Sequence, residues 1–189
     1  MISKGLDFEN VRLVGILNAD SLMNFPDFRA YERAWQLMSQ VAGRAGRRKT
    51  SGEVILQTSH PDHPLIRTAL THHYEAMYEM QMEERQLFHY PPLYRLIYIY
   101  LKHRKEEILN ATARAFALSL REKLGDRVLG PEKPPTSRIQ NLHIRRILLK
   151  IEAGVSVRLL HEIIKETHNR IRNDSSSLSV IVQYDVDPV

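Results

Sequence analysis

Two consecutive prolines, Pro91 and Pro92, interrupt any regular element near the middle of this 189-residue chain. Proline donates no backbone hydrogen bond and fixes its own φ, and it pushes the preceding residue, here Tyr90, out of the helical region. The chain therefore reads as two stretches that meet at Tyr90-Pro91-Pro92, and their charges differ. Residues 1–92 hold 10 Lys/Arg and 11 Asp/Glu, a net of −1, whereas residues 93–189 hold 17 and 11, a net of +6. A basic stretch favours a polyanionic partner such as nucleic acid; a solvated surface rich in lysine and arginine gives the same count.

Composition closes several routes. Cysteine is absent, which excludes a disulfide framework, a thiol nucleophile, an iron–sulfur cluster and a Cys-based zinc site. No apolar run approaches the ~18–20 residues of a membrane-spanning helix. Residues 1–10 are polar and carry Lys4, Asp7 and Glu9, so no signal peptide is expected, and a cytoplasmic location is.

The first stretch has an α/β order. Val11–Leu17 reads as a strand buried on both faces, as in a parallel sheet, and Gly52–Thr58 as another. Asp27 is placed to cap a helix that continues through Tyr31, Trp35, Met38 and Val41 on one face. Leu65, Ala69, His72, Ala76, Met80, Glu84 and Leu87 recur at spacings of three and four, which predicts one long helix or two over 64–88. In the second stretch, Leu96–Leu101 alternates like a strand. Leu109, Ala113, Phe116, Leu120 and Leu124 mark an amphipathic helix stopped by Gly125. A short strand at 127–129 ends at Gly130-Pro131, and a Pro-rich basic loop runs to Asn141. A strand over 144–151, a helix over 156–171 with Val157, Leu160, Ile164 and Ile171 inward, and a strand over 178–184 complete a β-α-β-β-α-β order, that of a ferredoxin-like or related split fold.

The segment with most chemical content is Gln40-Val41-Ala42-Gly43-Arg44-Ala45-Gly46-Arg47. Arg44 and Arg47 fall on one side of a helical turn, with Gln40 one turn earlier, and the glycines leave the backbone open to a phosphate. Arginine donates in a rigid fork that matches phosphate oxygens. A solvated basic helix end is the plainer account of a Gly-Arg-x-Gly-Arg run. Gln-Val-Ala-Gly-Arg-Ala-Gly-Arg, however, matches motif VI of superfamily 2 helicases, and residues 1–8 look like the end of motif V. Together with Asp27-Phe28-Arg29-Ala30, Gly52–Thr58, Glu83-Glu84-Arg85, Val128-Leu129-Gly130-Pro131 and Asp185-Val186-Asp187-Pro188, the whole chain resembles the replication-restart helicases of the primosomal protein N′ family.

The resemblance implies the C-terminal piece of an ATP-dependent 3′–5′ DNA helicase that acts at stalled forks and assembles the primosome. Residues 1–66 would be the end of the second RecA-like lobe, residues 67–92 linking helices, and residues 93–189 a fork-binding domain with a ribosomal-protein-like fold. Arg44 and Arg47 would reach the γ-phosphate of ATP, with Gln40 coupling nucleotide to lobe closure. Gly5, Asp7 and Gly43 would line the nucleotide side, and Lys4 would contact DNA. None of the 8 glycines begins the phosphate-binding Gly-x-x-x-x-Gly-Lys-Ser/Thr loop, so this chain alone is expected not to hydrolyse ATP. ATP and magnesium belong to the full-length protein and zinc to a segment absent here, so no bound cofactor or metal is expected. Implied partners are forked and single-stranded DNA, the C-terminal tail of single-stranded-DNA-binding protein, with Arg158 and its neighbours on the last helix as candidate contacts, and other primosome proteins.

Three further features bear on the site. His60 and His63 are three apart and His72 and His73 adjacent, but Pro61 and Pro64 interrupt the first pair and no third ligand is evident. Tyr74, Tyr78, Phe88, Tyr90, Tyr94, Tyr98 and Tyr100 have stacking chemistry, yet their spacing fits ordinary packing. The basic loop and following strand, with Arg138, Arg145, Arg146 and Lys150, are the best nucleic-acid candidates, joined by Asn141 and His143. Strand alternation puts Arg146 and Lys150 on one face and Arg145 on the other, so they cannot all serve one surface. A nonenzymatic RNA- or ribosome-binding module also fits the basic half, as does a protein-interaction domain; neither explains Gln40–Arg47.

Overall fold

The computed structural model describes residues 11–43, 45, 52–173 and 177–188. The chain is mixed α and β with two sheets, in two units divided between Leu87 and Phe88.

In the first unit, β1 (Leu13–Ile16) pairs in parallel with β2 (Glu53–Leu56), Leu13 opposite Glu53 and Ile16 opposite Leu56. The expectation of a strand buried on both faces does not hold. Among the described residues this sheet has two strands, and Leu13 and Ile55 are exposed while Ile16 is buried. Between them lie α1 (Ala19–Met23) and α2 (Ala30–Ala42). The short helix α1 has no apolar period to announce it; it is set by Asn18, at φ 56°, whose side-chain oxygen accepts from the Ser21 amide. Asp27, expected to cap this helix, lies three residues ahead of Ala30, where α2 starts, and Arg29 holds the N-cap position. Its carboxylate accepts from the Arg29 amide at 2.9 Å and its carbonyl from the Ala30 amide at 3.0 Å.

The apolar stripe over 64–88 resolves into α3 (Pro64–Leu70) and α4 (Tyr74–Leu87). His72, at φ 52°, separates them and resets the helical phase. Leu65, Ile66 and Ala69 are buried in α3 and Met77 and Gln81 in α4, whereas Leu87, expected inward, is exposed. These helices share one core with Ile16, Ala34 and Met38. Glu32 joins α2 to α4 by accepting from Arg85 at 2.7 Å, and Arg85 also lies 5.5 Å from the Phe28 ring. Burial opposes ionisation of Glu32, but Arg85 and Arg29 outweigh it and hold its pKa below the usual value.

Asp20, in α1, accepts from the Thr58 hydroxyl and from the Ser59 amide at 2.8 Å, tying α1 to the chain after β2. These hydrogen bonds lower its pKa to about 2. A depressed carboxyl contributes stability that is complete above its unfolded pKa of ~3.9 and is lost as pH falls through the folded value. The fluorescence transition of Trp35, the one tryptophan in the chain, is therefore expected to shift to lower temperature between about pH 4 and pH 2, by less in Asp20→Asn.

The second unit runs β3 (Tyr94–His103), α5 (Glu106–Leu124), β4 (Val128–Glu132), β5 (Arg138–Ile139), β6 (Leu142–Glu152), α6 (Val157–Arg172) and β7 (Ile181–Val186). The long strands form an antiparallel sheet in the order β4-β6-β3-β7, with β5 on β6. The two longest strands are thus central, and Tyr98 is opposite both Leu148 and Asp185. Alternation divides the sheet. Ile97, Ile99, Leu101, Ile147, Leu149 and Ile151 enter one core with Leu109, Ala113, Phe116, Ala117 and Leu120 of α5 and Leu160 of α6. Val157, expected inward on α6, is exposed, because Ser156 caps the helix and Val157 is its first residue. Gly125, at φ 61°, ends α5. No helix among the described residues is long and apolar enough to cross a membrane.

Candidate nucleic-acid interface

The face of the second sheet opposite that core carries Tyr98, Tyr100 and Lys102 from β3, Arg146, Leu148 and Lys150 from β6, Leu129 and Glu132 from β4, and Ile181, Gln183 and Asp185 from β7. Its middle is accessible: Tyr98, Tyr100, Leu148 and Arg146 are half-buried, and Leu129, Gln183 and Ile181 are exposed. Leu96 and Ile144, near its two ends, are buried.

Arg146 is the most constrained cation on this face. Its guanidinium lies 4.5 Å from the centre of the Tyr98 ring, and its Nε donates to Glu132 at 2.9 Å. Burial opposes its charge, but the bonds to Glu132 prevail and raise its pKa further. Lys150 lies 3.8 Å from the centre of the Tyr90 ring and donates to the Phe88 carbonyl at 2.6 Å; burial lowers its pKa. Burial also raises the pKa of Tyr98, so its hydroxyl stays neutral and can donate. Lys102 donates to Gln183 at 2.9 Å.

The hairpin at one end of the sheet follows from local chemistry. Gln140 and Asn141 both take positive φ, 46° and 65°, the two-residue turn that matches strand twist, and asparagine is among the residues that tolerate it. Arg138 is exposed on this hairpin and donates to the Asn141 side chain at 3.2 Å. Gly130 sits in β4 at φ 92°, where a Cβ would meet the Arg146 carbonyl at 2.8 Å and the Glu132 amide at 3.1 Å. Only glycine fits there. Gly130→Ala is expected to destabilise this unit by about 1–3 kcal/mol and to move Glu132 away from Arg146; thermal unfolding and a crystal structure of the variant check both.

The four cations of the basic loop and the strand after it therefore separate. Arg146 and Lys150 share the open face and Arg138 is on the hairpin. Arg145 is on the core face and buried; it donates to Glu106 at 2.6 Å and to the Ile144 carbonyl at 2.9 Å. Glu106 also pairs with Lys133 at 3.2 Å and His143 at 3.8 Å, and Arg145 followed by Lys133 lowers its pKa. Arg145 anchors the strand to α5 and is not part of the surface. Tyr98 and Tyr100, read as packing residues, are half-buried on the open face: in Tyr94–Leu101, every second residue from Tyr98 faces away from the helices. That alternation was the available signal.

In the first unit, Gln40 is exposed in the last turn of α2, and Gly43 follows at an ordinary φ of −63°. A Cβ on Gly43 would meet only the Ser39 and Gln40 carbonyls, at 3.5 and 3.8 Å, so the fold does not demand glycine there. Lys4, Gly5, Asp7, Arg44 and Arg47 lie outside the described residues. His63 caps α3, its Nδ1 accepting from the Leu65 amide at 3.2 Å, and His60 lies 3.9 Å from Asp20. No group of three histidines or acids among the described residues is placed to hold a metal ion.

A family described as "Primosomal protein N C-terminal domain" matches residues 86–189. The chain is 36% identical over 190 residues to "Replication restart protein PriA" of Bacillus subtilis (strain 168), covering all of this chain and 23% of that protein. It is 36% identical over 191 residues to the protein of that name from Synechocystis sp., covering 22% of it. It is 48% identical over 97 residues, 51% of this chain, to that of Chlamydia pneumoniae. The chain thus spans about a quarter of the length of the first two relatives. The match over more than half of its residues shows that this chain belongs to the primosomal protein N C-terminal domain family.

Proposed function

We propose that this chain is the C-terminal part of a replication-restart factor, and that its second unit binds DNA through the open sheet face and the adjoining hairpin. The observation that carries the reading is the placement of Arg146 and Lys150 on one helix-free face with Arg138 at its end, in a chain whose relatives are named for replication restart. Contacts of this kind go to phosphate and are sequence-neutral, as a protein recognising fork shape requires.

The whole protein would be an ATP-dependent 3′–5′ DNA helicase that reloads the replication machinery through primosome partners. Residues 1–66 would complete a RecA-like lobe, and the second unit would be a ferredoxin-like or ribosomal-protein-like module. Gln40, exposed at the end of α2, and Gly43, which has no side chain, suit an approach by phosphate. With ATP bound, Arg44 and Arg47 would reach its γ-phosphate, Gln40 would couple nucleotide to lobe closure, and magnesium-bound ATP would supply the energy of translocation. The carbonyl end of α2 repels anions, so the arginines are what make such an approach favourable. Gly5 and Asp7 would lie towards the nucleotide and Lys4 towards DNA. The tail of single-stranded-DNA-binding protein is a further partner in this reading, with Arg158, exposed on α6, a candidate contact.

This chain alone is expected to show no magnesium-dependent ATP turnover; turnover abolished by Arg47→Ala would contradict that. A competition between forked DNA and structured RNA of equal length tests the reading itself. Tighter binding to the fork is expected, and preference for the RNA would support the nonenzymatic RNA-binding module.

A further inference from the structure

We propose that the open face of the second sheet is a stacking platform for an unpaired DNA strand, with bases on Tyr98 and Tyr100 and phosphate on Arg146. The inference rests on the DNA-binding reading above and specifies its substrate. Tyr98 and Tyr100 sit two apart on a central strand, on the face without helices, and their ring centres are 5.9 Å apart. That spacing exceeds the ~3.4 Å step of stacked duplex bases, so each ring takes one base of an extended strand. In a duplex the base faces are covered by their neighbours and cannot reach a flat sheet. Every base has a π-face, so the platform is indifferent to sequence, and half-buried rings lose little freedom on binding.

The charge on this face selects the same occupant. The Arg146 guanidinium carbon lies 4.5 Å from the centre of the Tyr98 ring, so a base stacking on that ring takes the place of the guanidinium, which stays beside it to meet the phosphate. Its Nε and Nη2 are held by Glu132. A phosphate offers the same acceptor geometry as that carboxylate, so Glu132 acts as an internal competitor that the strand displaces. Lys150, Lys102 and Arg138 flank the platform and carry the backbone onward. Leu129 and Leu148, opposite one another across β4 and β6, extend the apolar surface next to the tyrosines.

The test measures binding of the whole chain to labelled oligothymidylate of about twelve nucleotides and to blunt mixed-sequence duplex. Tyr98→Leu and Tyr100→Leu are each expected to weaken oligothymidylate binding about 5-fold or more, with little change for duplex, and Phe at either position is expected to retain it. Glu132→Gln, an exposed change that leaves the core untouched, is expected to tighten oligothymidylate binding several-fold. Leu variants that bind oligothymidylate like the parent, or lose duplex equally, would overturn the platform, as would Glu132→Gln with no gain. If Arg138→Gln and Lys150→Gln weaken binding while the Leu variants do not, the cationic surface stands and the platform falls. If the parent chain binds neither DNA, both readings fall.

Discussion

Replacing Arg138, Arg146 and Lys150 together with glutamine is expected to weaken binding of the chain to single-stranded DNA by about 100-fold or more. Charge-assisted hydrogen bonds contribute about 1.5–3 kcal/mol each, discounted here for solvent screening, and every 1.4 kcal/mol is tenfold in affinity. The salt dependence should change with it. Each phosphate neutralised on a single strand adds ~0.7 to the slope of log affinity against log salt, so the triple variant should be shallower by about 2. Arg145→Gln is the internal contrast. Arg145 is held by Glu106 on the core face, so its removal should cost stability and leave the salt slope of the folded protein unchanged. Anisotropy titrations at several salt concentrations read both quantities. An unchanged slope in the triple variant would remove these residues from the interface.

The largest stability effect is expected for Phe116→Ala. Phe116 is fully buried at the centre of the α5 core, among Ile99, Leu120, Ile147 and Leu149. Phe→Ala in such a site removes the transfer energy of the ring and leaves a cavity, a loss of about 3–5 kcal/mol. Unit stabilities are about 5–15 kcal/mol, so much of the second unit's margin goes, and its thermal midpoint should fall by roughly 12–40 °C. The sole tryptophan, Trp35, lies in the first unit, so its fluorescence provides a separate signal. The circular-dichroism transition of the second unit should move while the Trp35 transition changes little.

Much of the second unit was legible because its periods are strong. Leu109, Ala113, Phe116, Leu120 and Leu124 recur at helical spacing and are all buried, and the Ile/Tyr alternation of β3 gave both faces of the sheet. The separation of Arg145 from Arg146 followed from the pleat alone. What was not legible depends on partners distant in sequence. Glu106, 39 residues from Arg145, decides that this arginine serves the core. Alternation puts Tyr98 and Tyr100 on the face opposite Ile97 and Ile99, but only the fold tells that both helices cover the isoleucine face. In the first unit, the stripe from Leu65 to Leu87 is regular in sequence, yet one left-handed residue, His72, turns its second half so that Leu87 faces solvent. The helix α1 is five residues long, too short for a period, and rests on the Asn18 cap. The Gln40–Arg47 motif points only to the helicase superfamily, the C-terminal segments make the resemblance specific, and the two arginines of the motif lie outside the described residues.

The central claim is that the second unit engages DNA through its open sheet face. The most direct measurement is fluorescence anisotropy of the chain with forked, single-stranded and blunt duplex DNA across a salt series. Forked and single-stranded DNA should bind more tightly than blunt duplex, with affinity falling linearly in log–log form by ~0.7–0.9 per phosphate contact. Binding that ignores salt, or no binding to any of the three, would contradict the claim.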